Sequence, residues 1–239
     1  MTTFVIVHGG WHTGEHFAET AAAVTASGHT VHLPTAAGNA PGDRKDTGLD
    51  EAVSSIVQYL VDREIVDCVL VGHSYGGMVI TGVADRAGDR IRRLVYWNAF
   101  VPNDGECLND LVPPHYVELF DNLVADDGSV TMPEGIWREA FMNDASAEEA
   151  SNAYATLNPH PYRTFTDPIS LQRNPAEMAL PKSYINCTED TALPQSLGWH
   201  PRLSEKLGLF RLVQIAGSHE LCFTNPARLG QAIIDAGRD

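Results

Sequence analysis

The pentapeptide Gly72-His73-Ser74-Tyr75-Gly76 joins two apolar runs, Val69-Leu70-Val71 and Met78-Val79-Ile80, and few folds admit such a junction. The first run is β-rich and almost continuously apolar, as in a parallel strand covered on both faces. The second lies in a segment, residues 75–87, that reads as a helix. A strand that passes into a helix this abruptly needs a sharp turn, and glycines on either side relieve the crowding at its apex. The apex is Ser74. The turn exposes its hydroxyl beside a helix N-terminus, where backbone N–H groups stabilise an oxyanion. The alternative is a tight structural turn around a buried serine.

The rest of the chain alternates in the same way. Residues 4–7 form a β-rich run that ends in His8-Gly9-Gly10. Residues 15–27 carry Phe17, Ala21 and Val24 at helical spacing and stop at Gly28, and residues 29–33 read as a strand ended by Pro34. Thr47 with Asp50 three positions on reads as a capping box for a helix whose face carries Leu49, Val53, Ile56, Val57 and Leu60. Strands are expected at residues 67–71 and 93–99. The rhythm then breaks: residues 103–180 are rich in proline, with helical patches at 136–142 and 146–157. Strands resume at 183–187 and 211–215, and residues 226–236 close the chain as a helix. The expected fold class is α/β, a doubly wound, mostly parallel sheet, with residues 1–102 and 181–239 as its core and residues 103–180 as an insertion.

A serine hydroxyl is a weak nucleophile without a base, and the base needs a carboxylate to orient it. Of ten histidines, His219 follows the strand-like Leu212-Val213-Gln214-Ile215 and the loop Ala216-Gly217-Ser218. Asp190 takes the matching place after Tyr184-Ile185-Asn186-Cys187. Ser74, Asp190 and His219 thus fall at strand ends, where the loops of an open α/β sheet meet over the ligand crevice. Glu189 and Asp104 are the competing carboxylates. His8-Gly9-Gly10-Trp11 follows the first strand, so the backbone N–H groups of Gly10 and Tyr75 are the expected oxyanion donors. His8, His12 and His16 lack a carboxylate or cysteine at a metal-ligand spacing, so neither a metal nor a cofactor is expected. Trp11, Tyr75, Phe100, Trp137, Phe141 and Leu193 are candidates to line a pocket for an aromatic or medium-chain group, while Trp97 reads as core. Asp126-Asp127-Gly128 reads as a solvated turn.

Charge narrows the partners. The chain of 239 residues has 16 Lys and Arg against 31 Asp and Glu, a net charge of −15, which disfavours nucleic acid and anionic membrane surfaces. No run approaches the roughly 20 apolar residues of a membrane span. The start shows no basic segment followed by a long apolar one, and Cys68, Cys107, Cys187 and Cys222 form no CxxC pair. A cytoplasmic protein with reduced thiols, acting on a small molecule, is the expectation.

These pieces together resemble the α/β-hydrolases that include plant methylesterases, among them the salicylate-binding esterases, together with plant hydroxynitrile lyases and similar bacterial proteins. The resemblance rests on Val7-His8-Gly9-Gly10-Trp11-His12, Gly28-His29-Thr30-Val31, Gly72-His73-Ser74-Tyr75-Gly76-Gly77 and Cys187-Thr188-Glu189-Asp190, with Asp190 placed 29 positions before His219. It implies the α/β-hydrolase fold, with residues 103–180 as a helical cap roofing an apolar pocket and with Ser74, His219 and Asp190 as a triad that cleaves a carboxylic ester. Exposed cap surfaces would suit a homodimer. Rubber-tree-type lyases carry threonine just after the first-strand histidine and lysine just after the triad histidine, and a second lyase lineage has asparagine at the former place. Here those places hold Gly9 and Glu220, so hydrolysis is expected. Lyase, lactone, amide or carbon–carbon cleavage, cofactor-free oxygenation and slow-turnover binding are the alternatives. Glu220 either points away from the site or repels carboxylate-bearing substrates.

Overall fold

The computed structural model describes residues 1–239. Eight strands form: β1 (Thr3–Val7), β2 (Thr30–His32), β3 (Cys68–His73), β4 (Ile91–Trp97), β5 (Ser129–Val130), β6 (His160–Pro161), β7 (Lys182–Cys187) and β8 (Arg211–Ile215). Six of them build one sheet in the order β2-β1-β3-β4-β7-β8, and β5 and β6 pair separately. Every neighbouring pair in the large sheet is parallel. The helices are α1 (Ala18–Ala26), α2 (Leu49–Asp62), α3 (Gly76–Ala87), α4 (Pro114–Asp121), α5 (Glu134–Ile136), α6 (Ala147–Tyr154), α7 (Arg163–Thr166), α8 (Leu221–Thr224) and α9 (Pro226–Ala236).

Successive side chains of a strand point to opposite faces, so each inner strand feeds two cores. Val5, Val7, Leu70, Leu94, Tyr96 and Tyr184 enter one, with Val53, Ile56 and Leu60 of α2 and Met78, Ile80 and Val83 of α3. Phe4, Ile6, Val69, Val71, Val95, Trp97 and Ile185 enter the other, with Val24 of α1 and Leu229 and Ile233 of α9. Each such fully buried aliphatic side chain contributes about 1.5–3 kcal/mol. Because all six strands run the same way, their C-terminal ends meet at one edge of the sheet, and the loops after β1, β3, β4, β7 and β8 converge there.

Most expected elements form within two residues of their predicted bounds, with two local differences. The cap of α2 lies one residue later than Thr47: the Gly48 N–H donates to Glu51 Oε2 at 2.9 Å, while the Thr47 hydroxyl turns back to Arg44 O at 3.2 Å. The patch at 136–142 is not a regular α-helix. Trp137–Phe141 form a π turn, closed by the Met142 N–H on Trp137 O at 2.9 Å. No helix is long and apolar enough to cross a membrane.

Candidate active site

Ser74 follows β3 directly and has φ +52°, a left-handed conformation that a serine adopts only when its surroundings enforce it. They do so through the backbone: the Ser74 N–H donates to Trp97 O at 3.2 Å, and its carbonyl accepts from the N–H groups of Gly77 (3.0 Å) and Phe100 (3.1 Å). Neither flanking glycine tolerates a side chain. A Cβ on Gly72 would lie 2.7 Å from Gly76 O, and one on Gly76 would lie 2.7 Å from the carbonyls of Val7 and His8. This close passage of α3 against the end of β1 brings Ser74 next to the Gly9-Gly10 loop.

The loops after β7 and β8 bring Asp190 and His219 together. Asp190 Oδ2 lies 2.6 Å from His219 Nδ1, which places the ring proton on Nδ1 and leaves Nε2 as the basic nitrogen. Nε2 is buried and has no hydrogen-bond partner, Ser74 Oγ included. Burial alone would lower the His219 pKa, but Asp190, and Glu220 after it, outweigh burial and raise it above 6.5. The aspartate is itself fixed at both oxygens. Ala192 N–H donates to Oδ1 at 2.8 Å, and the Asn98 side-chain amide donates to Oδ2. Asn98 Oδ1 in turn accepts from the Cys187 N–H at 2.6 Å. Of the competing carboxylates, that of Asp104 accepts from the Leu171 N–H, and Glu189 is exposed.

Gly10 and Tyr75, whose amides are the expected oxyanion donors, come to one cavity. The N–H groups of Gly10 and Tyr75 take part in no backbone hydrogen bond, and both residues border the same cavity as Ser74 and His219. His8 explains how the Gly10 amide is aimed. Its Nδ1–H donates to Gly9 O at 2.8 Å, fixing the plane of the Gly9–Gly10 peptide, and its Nε2 accepts from the Ala36 N–H at 3.0 Å. That arrangement requires a neutral ring, and burial holds the His8 pKa down to about 3. His12 and His16 are likewise engaged with backbone, at Gly10 O (2.6 Å) and at Thr156 O (3.1 Å).

The cavity holds about 40 Å³ and is bordered by residues of both the sheet loops and the 103–180 segment. Trp11, Tyr75, Phe100, Phe141 and Leu193 line it as expected. Trp137 does not: it is wholly buried, its indole N–H is donated to Ala150 O at 2.9 Å, and it packs behind Phe141. Sequence reasoning missed Tyr116, Phe120, Phe165 and Trp199, which complete the wall. The Trp199 ring stacks on His219, with centroids 5.0 Å apart and planes at 16°. It also missed Asn98, whose one signal was a polar residue closing an apolar strand at the crevice edge.

A serine in an enforced turn, an imidazole oriented by a buried carboxylate and two free amides around one cavity can form and break an acyl bond. The alpha/beta hydrolase family model matches residues 4–232. This chain belongs to that family. Among solved structures, the α/β-hydrolase is similar to an extracellular α/β-hydrolase from a Paenibacillus species, described as sharing structural and functional homology with tobacco salicylic acid binding protein 2. The TM-score is 0.97 and the identity 34%, over all of both chains. Methylesterase MES16 of Arabidopsis shares the fold, with a TM-score of 0.80 and 21% identity over 99% of this chain and 98% of that one. The resemblance to plant methylesterases is thus borne out. Among characterised relatives, the α/β-hydrolase is 46% identical to a carbendazim-hydrolysing esterase of a Nocardioides species, over 47% of this chain and 48% of that one. It is 24% identical to a pyrethroid hydrolase of Sphingobium wenxiniae, over 98% and 87% respectively.

Proposed function

We propose that this α/β-hydrolase cleaves carboxylic esters of small or medium-sized apolar or aromatic molecules through an acyl-enzyme. Ser74 attacks the ester carbonyl while His219 Nε2 takes its proton, and Asp190 holds the ring with Nε2 unprotonated. The amides of Gly10 and Tyr75 bind the oxyanion, each contributing about 2.7–4 kcal/mol in the transition state. His219 then protonates the leaving alkoxide, and water activated by the same ring releases the acid. The observation that carries this reading is the 2.6 Å Asp190–His219 contact with the free Nε2 beside the cavity that Ser74 borders. The names of the relatives, an esterase and hydrolases, support it, and with the family match they make the chain a carboxylesterase-type hydrolase.

Two features favour hydrolysis over cyanohydrin cleavage. A Cβ on Gly9 would lie 2.8 Å from His73 Nδ1 and 3.2 Å from Ser74 Cβ, so a threonine or asparagine enters there only by displacing the nucleophile turn. Glu220, where a lysine would hold departing cyanide, is an acid that does not border the cavity. The lining has no Asp, Glu, Lys or Arg side chain, which favours an uncharged substrate. The test is Ser74→Ala: hydrolysis of a short p-nitrophenyl ester is expected to fall by at least about 10,000-fold, and labelling by a fluorophosphonate to vanish. Full activity in that variant overturns the reading.

A further inference from the structure

Glu220 is a buried charge with no task in the mechanism above. Its side chain is 1% exposed, and Oε2 lies 3.3 Å from Nε2 of His12, which is equally buried. The other nitrogen of His12, Nδ1, lies 2.6 Å from the carbonyl of Gly10. A carbonyl only accepts, so Nδ1 carries a proton. Nε2 itself makes no hydrogen bond, and its approach to Oε2 is a close contact between two buried groups. On the far side, Glu220, His73 and His219 offer ligand-type atoms all within 4.8 Å of one another. His12 therefore bridges the Gly10 loop, which carries one oxyanion amide, and the loop that carries the base.

We propose that Glu220 and His12 are positioning residues for His219: a second buried carboxylate–imidazole dyad that joins the Gly10 loop to the His219 loop and whose carboxylate stabilises the imidazolium of His219. The proposal rests on reading His219 as the general base. When Ser74 passes its proton to Nε2, the new positive charge is shared between Asp190 on one side and Glu220 on the other. Several charged or titratable groups surround the dyad. His219 faces Asp190 from the loop after β7, Glu220 from its own loop and His73 from the end of β3. Glu220 faces His12 and His16 from the loop after β1, His73, and Cys222 of α8, whose Sγ is 3.7 Å away. Asp144 accepts from the Ser218 N–H at 3.1 Å and adds negative charge near the same loop. His73 is neutral: burial holds its pKa well below 6.5, and its Nε2–H is donated to His219 O at 3.0 Å. Burial alone would raise the Glu220 pKa, but His12 beside it holds it down to about 2, so the carboxylate is ionised.

The experiment is a histidine titration of the full chain by ¹H–¹⁵N NMR, with the pH profile of kcat/KM on p-nitrophenyl acetate beside it. In Glu220→Gln, His219 is expected to titrate about one unit lower, roughly a tenfold loss of proton affinity, and the acid limb of kcat/KM to move with it. A packing role alone would change the melting temperature and leave both midpoints in place, and that result overturns the proposal. Where Glu220→Gln fails to fold, Glu220→Met removes the carboxylate at similar volume without burying an amide, and an unmoved His219 midpoint there is equally fatal. Wild-type protein that hydrolyses no ester sinks the proposed function instead, with the histidine titration still legible.

Discussion

The imidazole of His219 is confined on every side. Asp190 holds Nδ1, Trp199 covers one face, and the Phe141 ring meets it edge-on with centroids 5.1 Å apart. An indole face stabilises a cation by about 0.5–2 kcal/mol, so under the proposed mechanism Trp199 contributes when His219 takes the serine proton. Trp199→Leu is therefore expected to lower kcat about 2- to 30-fold with little change in KM for a small ester, and Trp199→Phe to retain most of the activity. Steady-state kinetics of the two variants decide it. Equal losses would show that the indole N–H, buried here without a partner, matters more than the ring face. Ser74, Asp190 and His219 were legible in the sequence because each sits at a strand end that local patterning reveals. Asn98 and Trp199 were not. Asn98 acts across 92 positions on Asp190, and Trp199 lies in a loop without periodicity.

The segment between β4 and β7 supplies the roof. Its hold on the sheet runs through Trp11, whose N–H donates to His160 Nδ1 at 3.3 Å, whose indole donates to Val130 O at 3.0 Å and whose carbonyl accepts from Asn158 N–H at 2.8 Å. Trp11 in turn packs on Phe120 of α4, with ring centroids 5.4 Å apart. A cavity of about 40 Å³ holds a water or two and no aromatic ring, so a substrate must displace the roof side chains. Phe120→Ala should raise the ratio of kcat/KM for p-nitrophenyl hexanoate over acetate about tenfold, while costing about 3 kcal/mol or somewhat more of stability in a thermal melt. An unchanged ratio would mean that Phe120 does not limit chain length. Helical patches in this segment were visible in sequence. Which of their faces meet the cavity was not, because that depends on how short helices dock on the sheet and not on their own periodicity. Trp137 misled for that reason: its π turn rotates it behind Phe141, into the core.

At the scale of the molecule, the buried histidines couple folding to pH. Burial holds His8 down to about 3, and keeps His73 and His160 well below 6.5. Once unfolded they titrate near 6.5, so below that pH the unfolded chain binds protons that the folded one refuses, and stability falls with pH. Each contributes about 1.4 kcal/mol per pH unit, roughly 4 together. His219 has the opposite sign, but its contribution is complete below 6.5 and lost only as pH rises through its higher folded value. The Glu220 contribution is lost only below about 4.5, toward 2. Between pH 6.5 and 5 these three neutral histidines therefore dominate the slope, and His16 and His32, which burial also holds below 6.5, add to it. Denaturant unfolding at half-unit pH steps should show it, reduced by about a third in His160→Gln, and a flat profile would refute it.

The strands that bracket the roof segment are direct neighbours in the sheet: Leu94 pairs with Lys182 and Trp97 with Ile185. The ladder between them holds whatever the chain does on its excursion from one to the other. Ser74, Asn98, Asp190 and His219 all belong to the ladder side of that boundary. Lineages can therefore lengthen, trim or exchange those stretches of the excursion that lie away from Phe141 and Asp144, which touch His219 and its loop, and substrate range becomes an evolutionary variable largely separable from the proposed chemistry.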